Sequence, residues 1–258
     1  MTRLSQHFLS DVNLLNKIAA ALEPAPTDVV LEVGPGRGSL TRVLAPLVAR
    51  VVGVETDREL ARSLSAQVPA NVTVVSGDAL ELDWHALLDG AFPFKVIGNI
   101  PYAITSPLIA KALEAPRPAS IVYLVQREVA SRLVARPGTR AYGALSVGVQ
   151  ALCTVDVVLR IPAGAFRPRP RVDSALVRLV PRTDPVVMPE EERPFRTFVT
   201  ACFSRRRKQI VNALEAATEA PRAALLNVLD GLGVAPTIRP EALAPEVFAR
   251  ILRHTRSL

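Results

Sequence analysis

The chain has 258 residues, 49% of them hydrophobic, which allows a substantial core and more than one average domain but not three domains. It lacks both the run of roughly 18 apolar residues that a membrane helix needs and an apolar N-terminal signal segment, so we predict no membrane association. Two distant cysteines and three scattered histidines predict neither a disulfide framework nor a metal site, and we expect a reduced, cytoplasmic protein.

The positive charge lies in the last two-fifths of the chain. Residues 1–159 contain 14 lysines and arginines and 14 aspartates and glutamates, whereas residues 160–258 contain 17 and 10, which is the whole excess of +7. A neutral first part followed by a basic one indicates a catalytic core with an attached surface for a polyanion. The alternative is that arginine is simply frequent in this composition.

The first two-thirds of the chain alternates apolar runs with helical patterns. The apolar runs predict five strands, at residues 28–33, 51–54, 72–75, 94–98 and 120–125. Strands alternating with helices predict a parallel sheet with right-handed crossovers. Two more predicted strands, at 155–161 and 174–180, are close in sequence, and we expect them to pair as an antiparallel edge.

From residue 189 onward the pattern is helical, and helices are predicted at 192–203, 209–217, 222–232 and 240–252. Prolines at 181, 185 and 189 interrupt regular structure just before this part. We therefore predict an α/β catalytic domain over residues 1–184 and a smaller, basic helical domain over residues 185–258.

The fourth predicted strand leads directly into Asn99, which is followed by Ile100, Pro101 and Tyr102. Ligands bind at the carboxyl ends of strands in open α/β sheets. The exocyclic amine of a nucleobase is a poor nucleophile because its lone pair is delocalised into the ring. The Asn99 side-chain oxygen and the Ile100 carbonyl would accept hydrogen bonds from its two N–H groups. Pro101 would stiffen the turn and Tyr102 would stack on the ring. The alternative is a strand-ending turn with a buried tyrosine.

Gly34, Gly36 and Gly38 lie between the first predicted strand and a helix, where glycines let the backbone approach a ligand closely. Glu55, at the end of the second strand, follows Gly34 by 21 residues and would accept both hydroxyls of a ribose. The pattern fits a dinucleotide or S-adenosyl-L-methionine. Ser39 stands where the dinucleotide fingerprint needs a glycine, which favours the second.

Two further acidic residues complete this pattern. Glu32 precedes the glycines, where a carboxylate would face the cationic methionine moiety, and Asp78 ends the third strand, where it would accept the adenine amine. In isolation, Glu55 or Asp78 is better explained as a helix cap than as a ligand. Three successive loops with acidic groups, followed by Asn99 on the fourth, favour a ligand site.

Taken together, these motifs resemble those of the ribosomal RNA adenine dimethyltransferases, the family that dimethylates adenine N6 in small-subunit rRNA. They are also similar to those of the antibiotic-resistance methyltransferases that act on large-subunit rRNA. The match runs from about residue 5 to the C-terminus without a large gap. The matching segments are residues 5–9, 31–41, 55–57, 77–80, 99–102, 125–130, 142–147 and 166–174.

The resemblance implies a Rossmann-like class I methyltransferase sheet with S-adenosyl-L-methionine as cofactor. His7 stands where many family members carry asparagine, and Ile100 replaces the commoner leucine. With Glu32 and Gly36 added from the residue pattern, the predicted cofactor site consists of His7, Leu9, Glu32, Gly34, Gly36, Glu55, Asp78 and Asn99.

The expected reaction is in-line methyl transfer to adenine N6, twice per base, on two adjacent adenosines during ribosome biogenesis. The target base must first leave its stack. Tyr102 and Phe166 would clamp its two faces. The alternative for Phe166 is a hydrophobic plug under a loop. Orientation and hydrogen bonding, rather than a general base, would carry the rate.

We expect the partner to be rRNA within the small ribosomal subunit or its precursor, bound by a monomer. Two basic clusters would contact phosphates, which position RNA without reading its sequence. For the second cluster the alternative is a solvated helix end. The clusters are Arg167, Arg169 and Arg171, and Arg205, Arg206, Arg207 and Lys208.

Three other functions remain open from the sequence. The first is methylation of large-subunit rRNA, which uses the same chemistry on a different RNA. The second is a non-catalytic ribosome assembly factor, which the intact glycine loop and the intact segment 99–102 disfavour. The third is a nicotinamide-dependent dehydrogenase, which Ser39 and the lack of a hydride-transfer acid disfavour.

Overall fold

The computed structural model describes residues 7–204 and 208–256. Its contacts divide the chain into two compact units, the first formed by Met1–Ala130 and Val155–Pro181 and the second by Ser131–Thr154 and Arg182–Leu258. The predicted division between residues 184 and 185 stays a prediction. The segment Ser131–Thr154 is grouped with the later helices, although three strands of the first unit follow it in the chain.

Nine strands and six helices of the described residues lie wholly or mostly in the first unit. The strands are β1 (Phe8–Leu9), β2 (Val29–Val33), β3 (Arg50–Glu55), β4 (Val72–Ser76), β5 (Lys95–Asn99), β6 (Ser120–Gln126), β7 (Cys153–Ile161), β8 (Phe166–Arg167) and β9 (Ser174–Pro181). The helices are α1 (Val12–Ala21), α2 (Ser39–Leu44), α3 (Arg58–Ser65), α4 (Trp84–Leu87), α5 (Thr105–Ala112) and α6 (Arg127–Leu133).

Seven of these strands form one sheet in the order β4-β3-β2-β5-β6-β9-β7. The first five run parallel, and β9 is antiparallel to β6. The predicted Rossmann-like sheet is thereby confirmed, and β7 lies beside β9 at its edge. The chain runs outward from β2 to β4 and then returns to place β5 on the other side of β2. The strand order therefore reverses between β2 and β5, where open α/β sheets bind ligands.

The central strands are buried because helices cover both faces of a parallel sheet. Val30, Leu31, Val51 and Val52 are fully buried, and β6 is buried from Ser120 to Val125. This explains why the strands read as continuous apolar runs rather than as alternating patterns. The rigid sheet holds the strand ends in register, with Val33 beside Gly98.

A separate two-stranded ribbon joins the N-terminal segment to the loop before β9. β1 pairs with β8 in antiparallel fashion, so that Phe8 lies opposite Arg167 and Leu9 opposite Phe166. This pairing links residues nearly 160 positions apart, and hydrophobic periodicity alone does not predict it.

The second unit is helical. Its helices are α7 (Ala144–Gln150), α8 (Glu192–Ser204), α9 (Ile210–Ala217), α10 (Arg222–Gly231) and α11 (Pro245–Thr255). Tyr142, just before α7, donates its hydroxyl hydrogen to Leu243 O at 2.8 Å, which ties the early segment to the late helices. The helix predicted from residue 240 begins only at Pro245, because proline fits the first helical turn and not the interior. None of the helices in the described part is long and apolar enough to cross a membrane.

Candidate active site

A glycine turn follows β2 and forms the floor of the site. Gly34 has a φ of +71° and Gly36 a φ of +56°, a backbone region that residues with a side chain rarely adopt. A Cβ at Gly36 would lie 3.0 Å from Phe8 Cε1. The Gly36 backbone N–H donates to Glu55 Oε2 at 2.9 Å. The glycines therefore let the turn lie against β1 on one side and the end of β3 on the other.

Glu55 is a ligand candidate rather than a helix cap. It is buried at the end of β3, and its Oε1 accepts from the Asp57 backbone N–H at 3.0 Å. Asp57 itself caps α3, accepting from Glu59 N at 2.9 Å and from Leu60 N at 3.1 Å. Because each carboxylate oxygen has two acceptor positions, Glu55 retains capacity for ligand hydroxyls.

Glu32 is buried in the site, with 1% of its surface exposed. Its Oε2 has no hydrogen-bond partner among the described residues. Burial raises the pKa of Glu32 to about 7, the charge of Glu55 adds to the rise, and Thr41 opposes it in part. A buried carboxylate oxygen without a partner is costly, and a bound cation would relieve this cost.

Asp78 follows β4 and is half-buried. Its Oδ1 accepts from the Leu80 backbone N–H at 2.8 Å. Asp83, not Asp78, caps α4, through His85 N at 2.9 Å and Ala86 N at 3.2 Å. As with Glu55, a neighbouring aspartate performs the capping, and the residue predicted to bind a ligand is left for another role.

All eight residues predicted to bind the cofactor line one cavity in the first unit. Asn99, Ile100, Pro101 and Tyr102 line the same cavity, at the end of β5 beside the glycine turn. The eight are His7, Leu9, Glu32, Gly34, Gly36, Glu55, Asp78 and Asn99. A buried carboxylate for a cation, a carboxylate with spare acceptor positions and a close-approach glycine turn fit S-adenosyl-L-methionine.

The Asn99 side chain has a defined orientation. Its Nδ2 donates to the backbone carbonyl of His7 at 2.7 Å. Because a carbonyl only accepts, the amide nitrogen must face His7, and Oδ1 remains as an acceptor. Nδ1 of the His7 ring in turn lies 2.8 Å from Pro168 O. The N-terminal segment thus decides which Asn99 atom remains available to a ligand.

Tyr102 is held by a partner that the sequence did not single out. Its hydroxyl lies 2.7 Å from Ser174 Oγ, and Ser174 is buried at the start of β9. The Tyr102 ring lies 5.9 Å from the His7 ring at an interplanar angle of 31°. Ser174 belongs to a matching segment, and that was the only sequence signal for it.

Phe166 does not form the predicted clamp. It is fully buried and packs in the core with Leu9, Ile161 and Leu176. Pairing of β8 with β1 sets it opposite Leu9, and it is not among the residues that line the cavity. The hydrophobic-plug alternative describes it, because a large apolar ring gains more from core burial than from exposure at a loop.

Over residues 1–252 the sequence matches the family described as ribosomal RNA adenine dimethylase. The chain belongs to the ribosomal RNA adenine dimethylase family. As a member of this family it is an rRNA adenine dimethyltransferase, and its methyl donor is S-adenosyl-L-methionine. Membership removes the dehydrogenase alternative.

Two relatives of this dimethylase carry the name Ribosomal RNA small subunit methyltransferase A. The one from Moorella thermoacetica is 43% identical over 259 residues, covering 96% of this chain and 90% of the relative. The one from Acidithiobacillus ferrooxidans is 37% identical over 255 residues, covering 98% and 93%. Both alignments span nearly the full length of each protein.

Two solved structures are similar to the dimethylase over both units. A dimethyladenosine transferase from Plasmodium falciparum superposes with a TM-score of 0.83 at 28% identity, covering 97% of this chain and 98% of that one. The 23S rRNA methyltransferase ErmE superposes with a TM-score of 0.74 at 31% identity, covering 96% and 99%.

The basic residues of the dimethylase are described only in part. Arg167, Arg169 and Arg171 are exposed, and Arg167 Nη1 donates to Gly164 O at 3.2 Å. Lys208 is exposed as well. The other members of its predicted cluster, Arg205, Arg206 and Arg207, lie outside the described residues.

Proposed function

We propose that the protein dimethylates N6 of two adjacent adenosines in small-subunit rRNA during assembly of that subunit. The observation that carries the proposal is the Asn99 side chain, whose oxygen is left as an acceptor at the cavity that the glycine turn lines. The relatives named for the small subunit, at 37% and 43% identity, support this RNA over others. We place the reaction in the cytoplasm, where ribosomal precursors assemble, and the enzyme as a monomer.

For the cofactor, each carboxylate has one task. Glu32 faces the cationic methionine moiety, Glu55 accepts from the ribose hydroxyls and Asp78 accepts from the adenine amine. Gly34 and Gly36 allow close approach, and His7 and Leu9 cover the site from the N-terminal segment. When bound, S-adenosyl-L-methionine supplies an electrophilic methyl group on a sulfonium. The burial of Glu32 and the spare acceptor positions described above support these roles.

For the target base, the residues after β5 hold the amine. Asn99 Oδ1 and the Ile100 carbonyl accept hydrogen bonds from its N–H groups. These bonds orient the nitrogen so that its lone pair is available to the methyl group. Pro101 stiffens the turn, and Tyr102 stacks on the base. The bound cofactor would supply the methyl group, with the new N–C bond replacing its S–C bond, and the nitrogen would then lose its extra proton to water. Burial of Phe166 leaves Tyr102 as the stacking ring in this proposal.

Removal of the Ser174 hydroxyl is expected to impair the stacking function of Tyr102. Ser174→Ala leaves the Tyr102 hydroxyl without the partner at 2.7 Å, and the ring loses its fixed plane. We expect kcat/KM for rRNA to fall by about tenfold, within the range for one base–aromatic contact. Steady-state assays of Ser174→Ala, Tyr102→Phe and the double variant check this. If the loss of kcat/KM in the double variant equals the product of the two single losses, the pairing of Ser174 with Tyr102 is contradicted, because residues that act as one pair are not additive.

Neutralising the arginines beside β8 is expected to reduce the salt dependence of RNA binding. Each phosphate contact that is lost lowers the slope of log affinity against log salt by about 0.7 to 0.9. The substitutions are Arg167→Gln, Arg169→Gln and Arg171→Gln together. Filter binding from low to moderate salt measures the slope. A matched variant with the same loss of charge elsewhere in the first unit carries Lys17→Gln, Arg58→Gln and Arg62→Gln, all at exposed positions. Equal slopes in the two variants would remove this surface from the proposal.

The second candidate is methylation of large-subunit rRNA, which the likeness to ErmE at 31% identity supports. Incubation with methyl-labelled cofactor and immature small or large subunits distinguishes the two. We expect label on two adjacent adenosines of the small-subunit rRNA. Label on large-subunit rRNA alone favours the second candidate. Cofactor binding without label on either RNA favours the assembly-factor alternative.

A further inference from the structure

The loop after β4 presents Asp78 to the cavity, and its conformation sets the direction of that carboxylate. Asp78 and Ala79 line the cavity. The Leu80 backbone N–H donates to Asp78 Oδ1 at 2.8 Å. This bond uses one carboxylate oxygen and leaves the other to accept from a ligand. A shift of residues 78–80 would therefore change the direction of this acceptor.

Side chains from outside the loop hold two of its successive carbonyls. Trp84 Nε1 donates to Ala79 O at 2.8 Å, and Lys111 Nζ donates to Leu80 O at 3.0 Å. The Lys111 ammonium also lies 5.8 Å from the centre of the Trp84 ring, a distance at which cation and ring attract each other. Trp84 is buried and Lys111 half-buried, so solvent screens these bonds less than it would at the surface.

Lys111 comes from a distant part of the chain, whereas Trp84 lies in the next element after the loop. The positions of Lys111 and Leu80 differ by 31 residues. Lys111 is in α5, which begins at Thr105, shortly after Tyr102. The helix that follows the proposed target-base turn thus supplies the side chain that fixes the proposed cofactor loop.

We infer that Lys111 is a positioning residue for recognition of the cofactor base. Its ammonium holds the Leu80 carbonyl so that Asp78 accepts a hydrogen bond from the 6-amino group of the adenine. The inference rests on the role of Asp78 in the proposed function. Lys111 acts through the loop, so its loss affects selectivity for a 6-amino purine more than cofactor binding in general.

Calorimetric titration of the full chain with two ligands tests the inference. S-adenosyl-L-homocysteine carries the 6-amino group, and S-inosyl-L-homocysteine carries a 6-oxo group in its place. We expect the unaltered protein to prefer the first by about tenfold to a hundredfold, the range for a hydrogen bond to a charged group. Lys111→Met is expected to reduce this preference by at least about threefold, and Asp78→Ala is expected to remove nearly all of it. The double variant is expected to match Asp78→Ala.

Lys95→Met is the matched control. Lys95 Nζ also donates to a backbone carbonyl, Glu23 O, at 2.6 Å, but Lys95 begins β5 at the end opposite Asn99. We expect it to lower thermal stability and leave the preference unchanged.

Two further variants of Lys111 complete the test. Lys111→Arg keeps a cationic donor and is expected to keep the preference. Lys111→Gln replaces Lys111→Met if that variant does not fold.

The outcomes distinguish the positioning role of Lys111 from the role of Asp78 in reading the base. A preference that persists in Lys111→Met but disappears in Asp78→Ala overturns the positioning role and leaves Asp78 as the base-reading group. A preference that persists in both variants overturns the role of Asp78 in the proposed function. A loss that Lys95→Met reproduces shows a general effect of destabilisation and also overturns the positioning role.

Discussion

Asn99→Ala is expected to lower the rate constant of methyl transfer by about 10³-fold, because orientation and hydrogen bonding carry this reaction. The change removes the oxygen that accepts from the target amine and also the 2.7 Å bond from Nδ2 to His7 O. Single-turnover transfer of a labelled methyl group to rRNA measures the rate. Cofactor affinity, measured by calorimetry on the same protein, is expected to change by less than about threefold because the three carboxylates remain.

Asn71→Ala is the control for that experiment. Asn71 Nδ2 also donates to backbone carbonyls, Ala45 O at 2.8 Å and Val48 O at 3.2 Å, just before β4 at the other end of the sheet. We expect it to reduce stability without slowing transfer. Transfer by Asn99→Ala at close to the unaltered rate would falsify the proposed amine contact.

Glu32→Gln is expected to stabilise the cofactor-free protein at neutral and higher pH. Burial raises the pKa of Glu32 from 4.5 to about 7, so between these values the folded state holds more protons than the unfolded state. The contribution of Glu32 to stability therefore falls as pH rises through this window. Glutamine does not titrate, and the advantage of the variant is expected to grow to roughly 3 kcal/mol at pH 8. Denaturant unfolding of both proteins between pH 4 and pH 8 gives the difference.

The same change is expected to weaken binding of S-adenosyl-L-methionine by about tenfold to a hundredfold at pH 7.5. A cation beside Glu32 favours the carboxylate, so binding releases a proton and affinity rises with pH up to about 7, the pKa in the free protein. Glu32→Gln is expected to lose this pH dependence. Glu219→Gln, at an exposed position in the second unit, is the control and is expected to change neither property. Equal affinity and pH dependence in the Glu32 variant would place the methionine cation elsewhere.

The central strands of the sheet were predictable because they are nearly continuous apolar runs, and the structure shifts their ends by only one residue. The predicted run at 94–98 corresponds to β5 at Lys95–Asn99, and the run at 120–125 to β6 at Ser120–Gln126. Such runs reflect burial on both faces, which the local sequence records. The short helices α6 and α7 and the ribbon of β1 with β8 carry no comparable periodic signal.

The members of the cavity were likewise predictable, because strand ends and glycine loops bring Glu32, Glu55, Asp78 and Asn99 to one edge of a parallel sheet. Their orientations were not. The choice of Asn99 Oδ1 as acceptor depends on the His7 carbonyl, 92 residues away, and the support of Tyr102 depends on Ser174, 72 residues away. Phe166 shows the same limit, since its motif position does not tell whether the ring faces the cavity or the core.

Residue type and spacing thus specify which chemical groups this dimethylase brings to the carboxyl end of its sheet. Packing specifies how they point, which bonds they have already made and which atoms remain for a ligand, as the bond from Lys111 to Leu80 also illustrates. The physical reason is that strands and turns follow from local preferences. A side chain's direction and its remaining hydrogen-bond capacity depend instead on neighbours that only the folded chain brings together.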